Sequence, residues 1–132
     1  LEIRLFGIDA PEAKQSCNDG RGVAYQCGVE ARKSLQQLVA GKELKCKKRD
    51  VDRYGRTVAV CEVNGVEINR EMVRLGWAIA YDKHSFAYVL AERDARKNQR
   101  GIWYGEFERP EDYRERQTRV EGALVETSSI DD

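Results

Sequence analysis

Arg4, Asp9 and Glu12 stand close together in the run Arg4-Leu5-Phe6-Gly7-Ile8-Asp9-Ala10-Pro11-Glu12. An apolar strand-like stretch ends in an Asp-Ala-Pro-Glu corner, with a cation in its body and two carboxylates where it stops. Pro11 has no N–H for a sheet ladder and biases Ala10 towards extended geometry, so the strand should end there. A guanidinium and two acids leaving one rigid element suit metal-assisted or acid–base chemistry on an anion. A strand that simply ends in a polar turn accounts for the same spacing. Asp52-Arg53-Tyr54-Gly55-Arg56 forms a second cationic corner. It reads as a hairpin turn in which Gly55 takes a positive φ and Arg56 opens the outgoing strand. An arginine held there suits bidentate phosphate recognition, although a solvated turn arginine looks the same in isolation.

The elements that must position these residues follow from periodicity and turn chemistry. Residues 1–8 read as a strand, and 13–22 as a loop turning at Asn18-Asp19-Gly20. From 23 to 39 the apolar residues keep helical spacing, with Gly41 suited to the C-cap. Residues 44–49 and Thr57–Val63 read as strands around the second corner. Asn64-Gly65 predicts a tight turn, Asn69 a helix cap for residues 70–75, and Gly76 their stop. Residues 77–81 read as extended and 88–100 as a helix stopped by Gly101. After Pro110 the chain becomes charged; 111–119 reads as helical, and 126–132 has the polarity of a disordered tail. Short strands interrupted by helices predict a compact β-barrel with helical additions, with an open α+β sheet as the competitor.

At 132 residues the chain has the length of one domain. No run approaches the ~18 apolar residues of a membrane span, and none has the pattern of a signal peptide. The chain opens at Leu1, already in a strand-like pattern and without Met, so the expectation is a mature or trimmed fragment. Net charge is zero, against a generally basic nucleic-acid coat. Residues 1–60 carry 12 Lys/Arg against 8 Asp/Glu, whereas residues 111–132 carry 3 against 7. The positive excess lies in the half with both corners, which is compatible with an anionic substrate.

Cys17, Cys27, Cys46 and Cys61 have no CxxC spacing, and His84 is the one histidine. This argues against zinc. If Asp50 faces Thr57 across the hairpin, Cys46 faces Cys61, within reach of a disulfide. Cys17 and Cys27 would then close the polar loop at 16–22. Two disulfides imply an oxidising compartment; four buried reduced thiols in a cytosolic protein is the other reading.

The two corners, with Val73-Arg74-Leu75-Gly76-Trp77-Ala78 and Arg100-Gly101-Ile102-Trp103, resemble in order and separation the staphylococcal-nuclease-like (thermonuclease) family. The resemblance runs from about Leu1 to Phe107, and four cysteines look like its exported bacterial branch. It implies a mainly β, α+β fold: a five-stranded OB-fold barrel with about three packed helices over residues 1–110, followed by a charged extension at 111–132. It implies a Ca²⁺-dependent nuclease acting as a monomer, without a membrane, on single-stranded or flexible DNA and RNA. The protein would be secreted or periplasmic. Arg4 and Arg56 are assigned to the scissile phosphate, and Glu12 orients or deprotonates the attacking water. Asp9 and the Ala10 carbonyl are assigned to Ca²⁺. Tyr81 lines the nucleotide pocket, and Lys83 stands where a second tyrosine often occurs.

The family normally carries a further strand pair ahead of the first corner, with an Asp-Gly-Asp-Thr-like segment and a second metal carboxylate. Gly122-Ala123-Leu124-Val125 with Ile130-Asp131-Asp132 faintly resembles it, which would bring Asp131 or Asp132 near Asp9. A catalytically weakened nucleic-acid- or protein-binding module is the alternative function, and an exported phosphodiesterase for a non-nucleic substrate a third. His84 and the lysine-rich stretch 42–49 read as solvated surface, and Trp77, Tyr88 and Trp103 as core.

Overall fold

The computed structural model describes residues 2–81 and 86–131, with side chains up to Gly122. Lys83, His84 and Asp132 lie outside the described residues. The order is β1 (Ile3–Leu5), β2 (Ile8–Asp9), β3 (Cys17–Asn18), β4 (Ala24–Tyr25), α1 (Cys27–Val39), β5 (Lys45–Val51), β6 (Thr57–Val63), β7 (Val66–Glu67), α2 (Ile68–Arg74), β8 (Ile79–Ala80), α3 (Val89–Lys97), a 3₁₀ turn Gly101–Tyr104 and α4 (Pro110–Asp131). The α+β class is as expected, but helix outweighs strand among the described residues, and four α-helices stand where about three were expected. Among the described residues the strands form a four-stranded sheet and two two-stranded ones, with no barrel closure.

β6 is the centre of the main sheet. It pairs in parallel with β1, antiparallel with β5 and, at its end, antiparallel with β7. Ala59, Cys61 and Val63 are buried while their neighbours Val60 and Glu62 are not, the period of a strand with one covered face. Helix α2 covers that face with Ile68, Met72 and Val73, all 2 % exposed or less. Ile8, Ala78, Ala80 and Tyr88 complete this core, and Leu35 and Leu38 of α1 pack onto it. Each large apolar side chain buried in this way contributes about 1.5–3 kcal/mol.

The first predicted strand is two strands. Gly7 takes φ 74° and breaks the run, so β1 stays on β6 while β2 turns away to pair with β8. Departure of the chain at Phe6 leaves the Cys61 N–H of β6 without a strand partner, and Asn69 replaces it. Its Oδ1 accepts the Cys61 N–H at 3.0 Å, and its Nδ2 donates to the carbonyls of Phe6 at 3.0 Å and Ala59 at 3.1 Å. Asn69 is therefore no cap: it lies inside α2, fully buried. A carboxamide carries both donor and acceptor, which a bridge between two strands needs.

Other boundaries moved for similar tertiary reasons. Residues 24–25 belong to a hairpin with β3, so α1 starts at Cys27 rather than Val23. Asp19 holds that hairpin's turn by accepting the N–H groups of Arg21 and Val23. Cys46 does face Cys61, and the disulfides are Cys46–Cys61 and Cys17–Cys27. A bulge between Lys48 and Asp50 shifts the remaining register, so Asp50 faces Val58 instead of Thr57. Such an extra residue re-aims the strand end, here the end leading to the second corner. Gly41 follows the α1 C-cap, and Asn64-Gly65 turns β6 into β7, both residues with positive φ. Residues 122–131 continue α4 instead of supplying a strand. Lys45–Val51 is exposed along its whole length, Tyr88 is buried, and Trp77 and Trp103 pack half-buried against the core.

Asn69→Ala strands the Cys61 N–H and the Phe6 carbonyl. At about 1–3 kcal/mol for each buried unsatisfied group, the expected loss is about 2–6 kcal/mol. Thermal unfolding followed by circular dichroism should show a midpoint about 10 °C lower. An unchanged midpoint would show that the bridge carries no stability.

Candidate active site

Both corners open into one cleft of about 950 Å³, whose lining includes Arg4, Asp9, Ala10, Glu12, Arg56 and Tyr81. The elements bring them together simply. Parallel pairing of Ile3 with Thr57 and Arg4 with Val58 sets Arg4 beside the start of β6, opposite a residue two positions beyond Arg56. Antiparallel pairing of Asp9 with Ile79 fixes the first acid, and the Tyr81 N–H donates to the Gly7 carbonyl at 2.8 Å. The Arg4 guanidinium lies 6.0 Å from the centroid of the Tyr81 ring, at the outer limit of a cation–π contact.

Asp52 organises the second corner. One carboxylate oxygen accepts the N–H groups of Tyr54 and Arg56, each at 2.9 Å, and the other accepts Arg56 Nε at 2.7 Å. Gly55 has φ 81°, as the turn requires. Among the described residues Arg56 is held at Nε by Asp52, which leaves its terminal N–H groups to meet a ligand. Desolvation works against the Asp52 charge, but the Arg56 N–H, the Arg56 guanidinium and the Tyr54 N–H together hold its carboxyl below the usual range.

Glu12 is positioned through its backbone. Its N–H donates to Gln15 Oε1 at 3.1 Å, its carbonyl accepts the Gln15 N–H at 2.8 Å, and Gln15 Nε2 donates to the Glu108 carbonyl at 2.7 Å. Gln15 is 1 % exposed, so this link between the corner and the base of α4 is internal. The first turn of α1 presses on the same corner. A Cβ on Gly28 would stand 1.8 Å from the Glu12 carbonyl oxygen, so only glycine permits this approach. The glycine inside a helical pattern was the available signal for such a contact, and sequence reasoning passed over it.

Arg114 was also missed. From α4 it reaches both acids of the first corner: Nη2 to Asp9 Oδ2 at 2.9 Å, Nη1 to Asp9 Oδ1 at 3.0 Å and Nη1 to Glu12 Oε1 at 2.7 Å. The hydrogen bond to Asp9 raises the Arg114 pKa; burial opposes it, and Glu12 adds to it. Asp9 is 6 % exposed, so its charge sits in a poorly solvated place and needs a cation. Among the described residues no third His, Cys, Asp or Glu completes a metal-binding cluster with these two. The three carboxylate oxygens nevertheless converge on one cationic group, the hard-oxygen donor set that a divalent ion such as Ca²⁺ prefers.

An α+β domain that presents guanidiniums and carboxylates from separate elements to one open cleft is the class defined here. The chain belongs to the family described as staphylococcal nuclease homologue, whose model matches residues 2–105. It is 36 % identical over 104 residues to the succinoglycan biosynthesis protein ExoI of Rhizobium meliloti, covering 76 % of this chain and 54 % of that protein. It is 34 % identical over 105 residues to an uncharacterized endonuclease of Haemophilus influenzae, covering 78 % and 53 %. Over 103 residues it is 37 % identical to the probable staphylococcal-like nuclease CAN1 of rice (Oryza sativa), covering 76 % and 28 %. The chain therefore spans about half, or less, of the length of these relatives.

The family's other two motifs have a structural role. A Cβ on Gly76 would stand 2.1 Å from the Arg100 carbonyl oxygen, the Ile102 N–H donates to the Gly76 carbonyl at 2.9 Å, and Arg100 Nη1 reaches the Arg74 carbonyl. The two backbones touch, and this contact anchors the segment leading into β8, the partner of Asp9.

Gly28→Ala should push the Glu12 corner out of place. The expected result is a loss of at least about 2 kcal/mol in urea unfolding, the cost of overpacking a tight contact, together with lowered activity. Wild-type stability would refute the contact. The stabilising contribution of Asp52, whose carboxyl is held below its ordinary value, is complete above the usual carboxylate range near ~4 and is lost as pH falls through the lowered value. The difference in unfolding midpoint between wild type and Asp52→Asn should accordingly narrow as pH falls below that range.

Proposed function

We propose that the chain is the catalytic part of a Ca²⁺-dependent nuclease that hydrolyses phosphodiester bonds of DNA and RNA, single-stranded or flexible. The observation that carries this reading is the meeting of Arg4, Asp9, Glu12 and Arg56 in one cleft, in a chain of the nuclease family. In this reading Arg4 and Arg56 bind the scissile phosphate and oppose the charge that grows on its equatorial oxygens during attack. Glu12 aligns the attacking water and takes its proton, while the P–O bond opposite breaks and the leaving oxygen takes a proton from solvent water. Asp9 and the Ala10 carbonyl would hold the cation, which would supply Lewis-acid polarisation at the phosphate. Tyr81 lines the pocket for the sugar or base, and Lys83, outside the described residues, is assigned beside it by resemblance alone.

Two disulfides suit an oxidising compartment, so the protein is read as secreted or periplasmic. None of the described helices is long and apolar enough to cross a membrane. Residues 1–110 form the nuclease domain in this reading, a monomer built on a five-stranded OB barrel, and 111–132 its charged extension.

A second reading has one observation in its favour. The acids assigned to the cation and to the attacking water are paired with Arg114, as in a module that binds nucleic acid or protein with weakened catalysis. Incubation with heat-denatured DNA in Ca²⁺ or in chelator separates the two. The nuclease cleaves only with Ca²⁺; Arg56→Ala lowers the rate about a hundredfold or more, since oxyanion-type donors are worth roughly 2.7–4 kcal/mol, and Glu12→Gln lowers it by about 10²–10⁴, the usual contribution of a general base. A Glu12→Gln protein as fast as wild type would remove that role, and salt-sensitive binding without cleavage would establish the module.

A further inference from the structure

Arg114 occupies the place towards which both acids of the first corner point. Of its five N–H donors, three hydrogen bonds go to Asp9 and Glu12. Both Asp9 oxygens are engaged, and the Asp9 side chain is 6 % exposed. An oxygen lone pair committed to a guanidinium is withdrawn from any other cation. Arg114 lines the cleft, but three of its hydrogen bonds are spent on the acids.

The helix that carries Arg114 is held unevenly along its length. α4 starts at the buried Pro110, beside Glu108, whose carbonyl is held by Gln15. It is half-buried at Glu111, Tyr113, Arg114 and Gln117, and exposed over residues 118–122. One end is anchored, residues 118–122 are exposed, and a charge clip lies between them. The clip residues Asp9 and Glu12 are also those that the functional reading assigns to the cation and the attacking water.

We infer that α4 is an autoinhibitory strap: Arg114 and a divalent cation are mutually exclusive occupants of the Asp9–Glu12 corner. The inference rests on the functional reading above. Its logic is linkage. A ligand that binds only the open form is weakened by the fraction of molecules that are closed, so removing the clip raises affinity without adding a contact. Without Arg114, two carboxylates, one of them poorly solvated, lose their counter-charge, and a cation then gains what the guanidinium had neutralised.

Ca²⁺ binding to the whole chain, by isothermal titration and by the Ca²⁺-induced shift in unfolding midpoint, tests this in wild type, Arg114→Ala and Arg114→Lys. Arg114→Ala should bind Ca²⁺ about tenfold more tightly, within the range of ordinary coupling between sites, and show the larger shift. Arg114→Lys, which keeps the charge but loses the fork, should fall between. Arg116→Gln should match wild type, because Arg116 pairs with Glu108 outside the corner. In wild type, hydrogen exchange over residues 113–117 should quicken as Ca²⁺ saturates. If Arg114→Ala does not fold, Arg114→Lys and the wild-type exchange decide the matter.

Equal Ca²⁺ affinity in wild type and Arg114 variants, or α4 protection unchanged by saturating Ca²⁺, would overturn the strap. So would a slower Arg114→Ala enzyme with unaltered Ca²⁺ affinity, which would make Arg114 a substrate ligand. In those cases a Ca²⁺-dependent cleavage of DNA still stands. Absence of both Ca²⁺ binding and cleavage in every variant would remove the nuclease reading, and the strap with it.

Discussion

Parallel pairing of β1 with β6 is the constraint on which the rest of the cleft depends. It runs from Ile3 opposite Thr57 to Leu5 opposite Ala59, and so sets Arg4 and Arg56 at the same end of neighbouring strands. A slip of one residue would turn Arg4 to the opposite face, because side chains alternate along a strand. Register is secured at the other end by Asn69, whose carboxamide ties Phe6 to Ala59 and satisfies Cys61 where β1 departs. The same departure frees β2 to carry Asp9 across to β8. One buried side chain thus closes the polar ledger of the junction and allows cations and acids to diverge before meeting again across the cleft.

Close backbone approach gives the acid corner its rigidity. Gly28 lets α1 lie against the Glu12 carbonyl, and Gly76 lets the segment before β8 lie against Arg100. Cys17–Cys27 links the small hairpin to the first residue of α1, so the helix that presses on Glu12 is itself tethered. These contacts involve few polar groups and little apolar area. Their effect is to remove freedom from the two short strands, β2 and β8, which are too short to hold Asp9 on ladder bonds alone.

Electrostatically the cleft is a set of separately supported charges. Asp52 restrains Arg56 through side chain and backbone, Arg4 stands by Tyr81, and Asp9 with Glu12 is balanced by Arg114. Arginine is the appropriate cation at each place, since its planar fork can be gripped on one edge and offered on the other. At Arg56 one edge is gripped by Asp52. At Arg114 the edge that meets the acids is the one a ligand would need, which makes it the balancing charge of the resting site.

Much of this was legible in the chain because it depends on neighbours in sequence. The Pro11 stop, the Asp52–Arg56 turn, the Asn64-Gly65 turn and the facing of Cys46 and Cys61 each follow from a few adjacent residues whose backbone preferences agree. The corner from Arg4 to Glu12 was legible as a cluster of charges, and its resemblance to a nuclease family agrees with the family match over residues 2–105. Asn69, Gly28 and Arg114 were not legible in this way. Asn69 has the local chemistry of a cap, Gly28 that of a weak helix residue, and Arg114 that of a solvated helix face. What each does is set by groups distant in sequence: Phe6 for Asn69, Glu12 for Gly28, Asp9 for Arg114. Sequence by itself determined the charged corner and the turns, because short-range sterics and hydrogen bonding suffice for them. Only the tertiary structure decided which cation lies on the acids, because a guanidinium more than a hundred residues away reaches them only after the whole chain has folded.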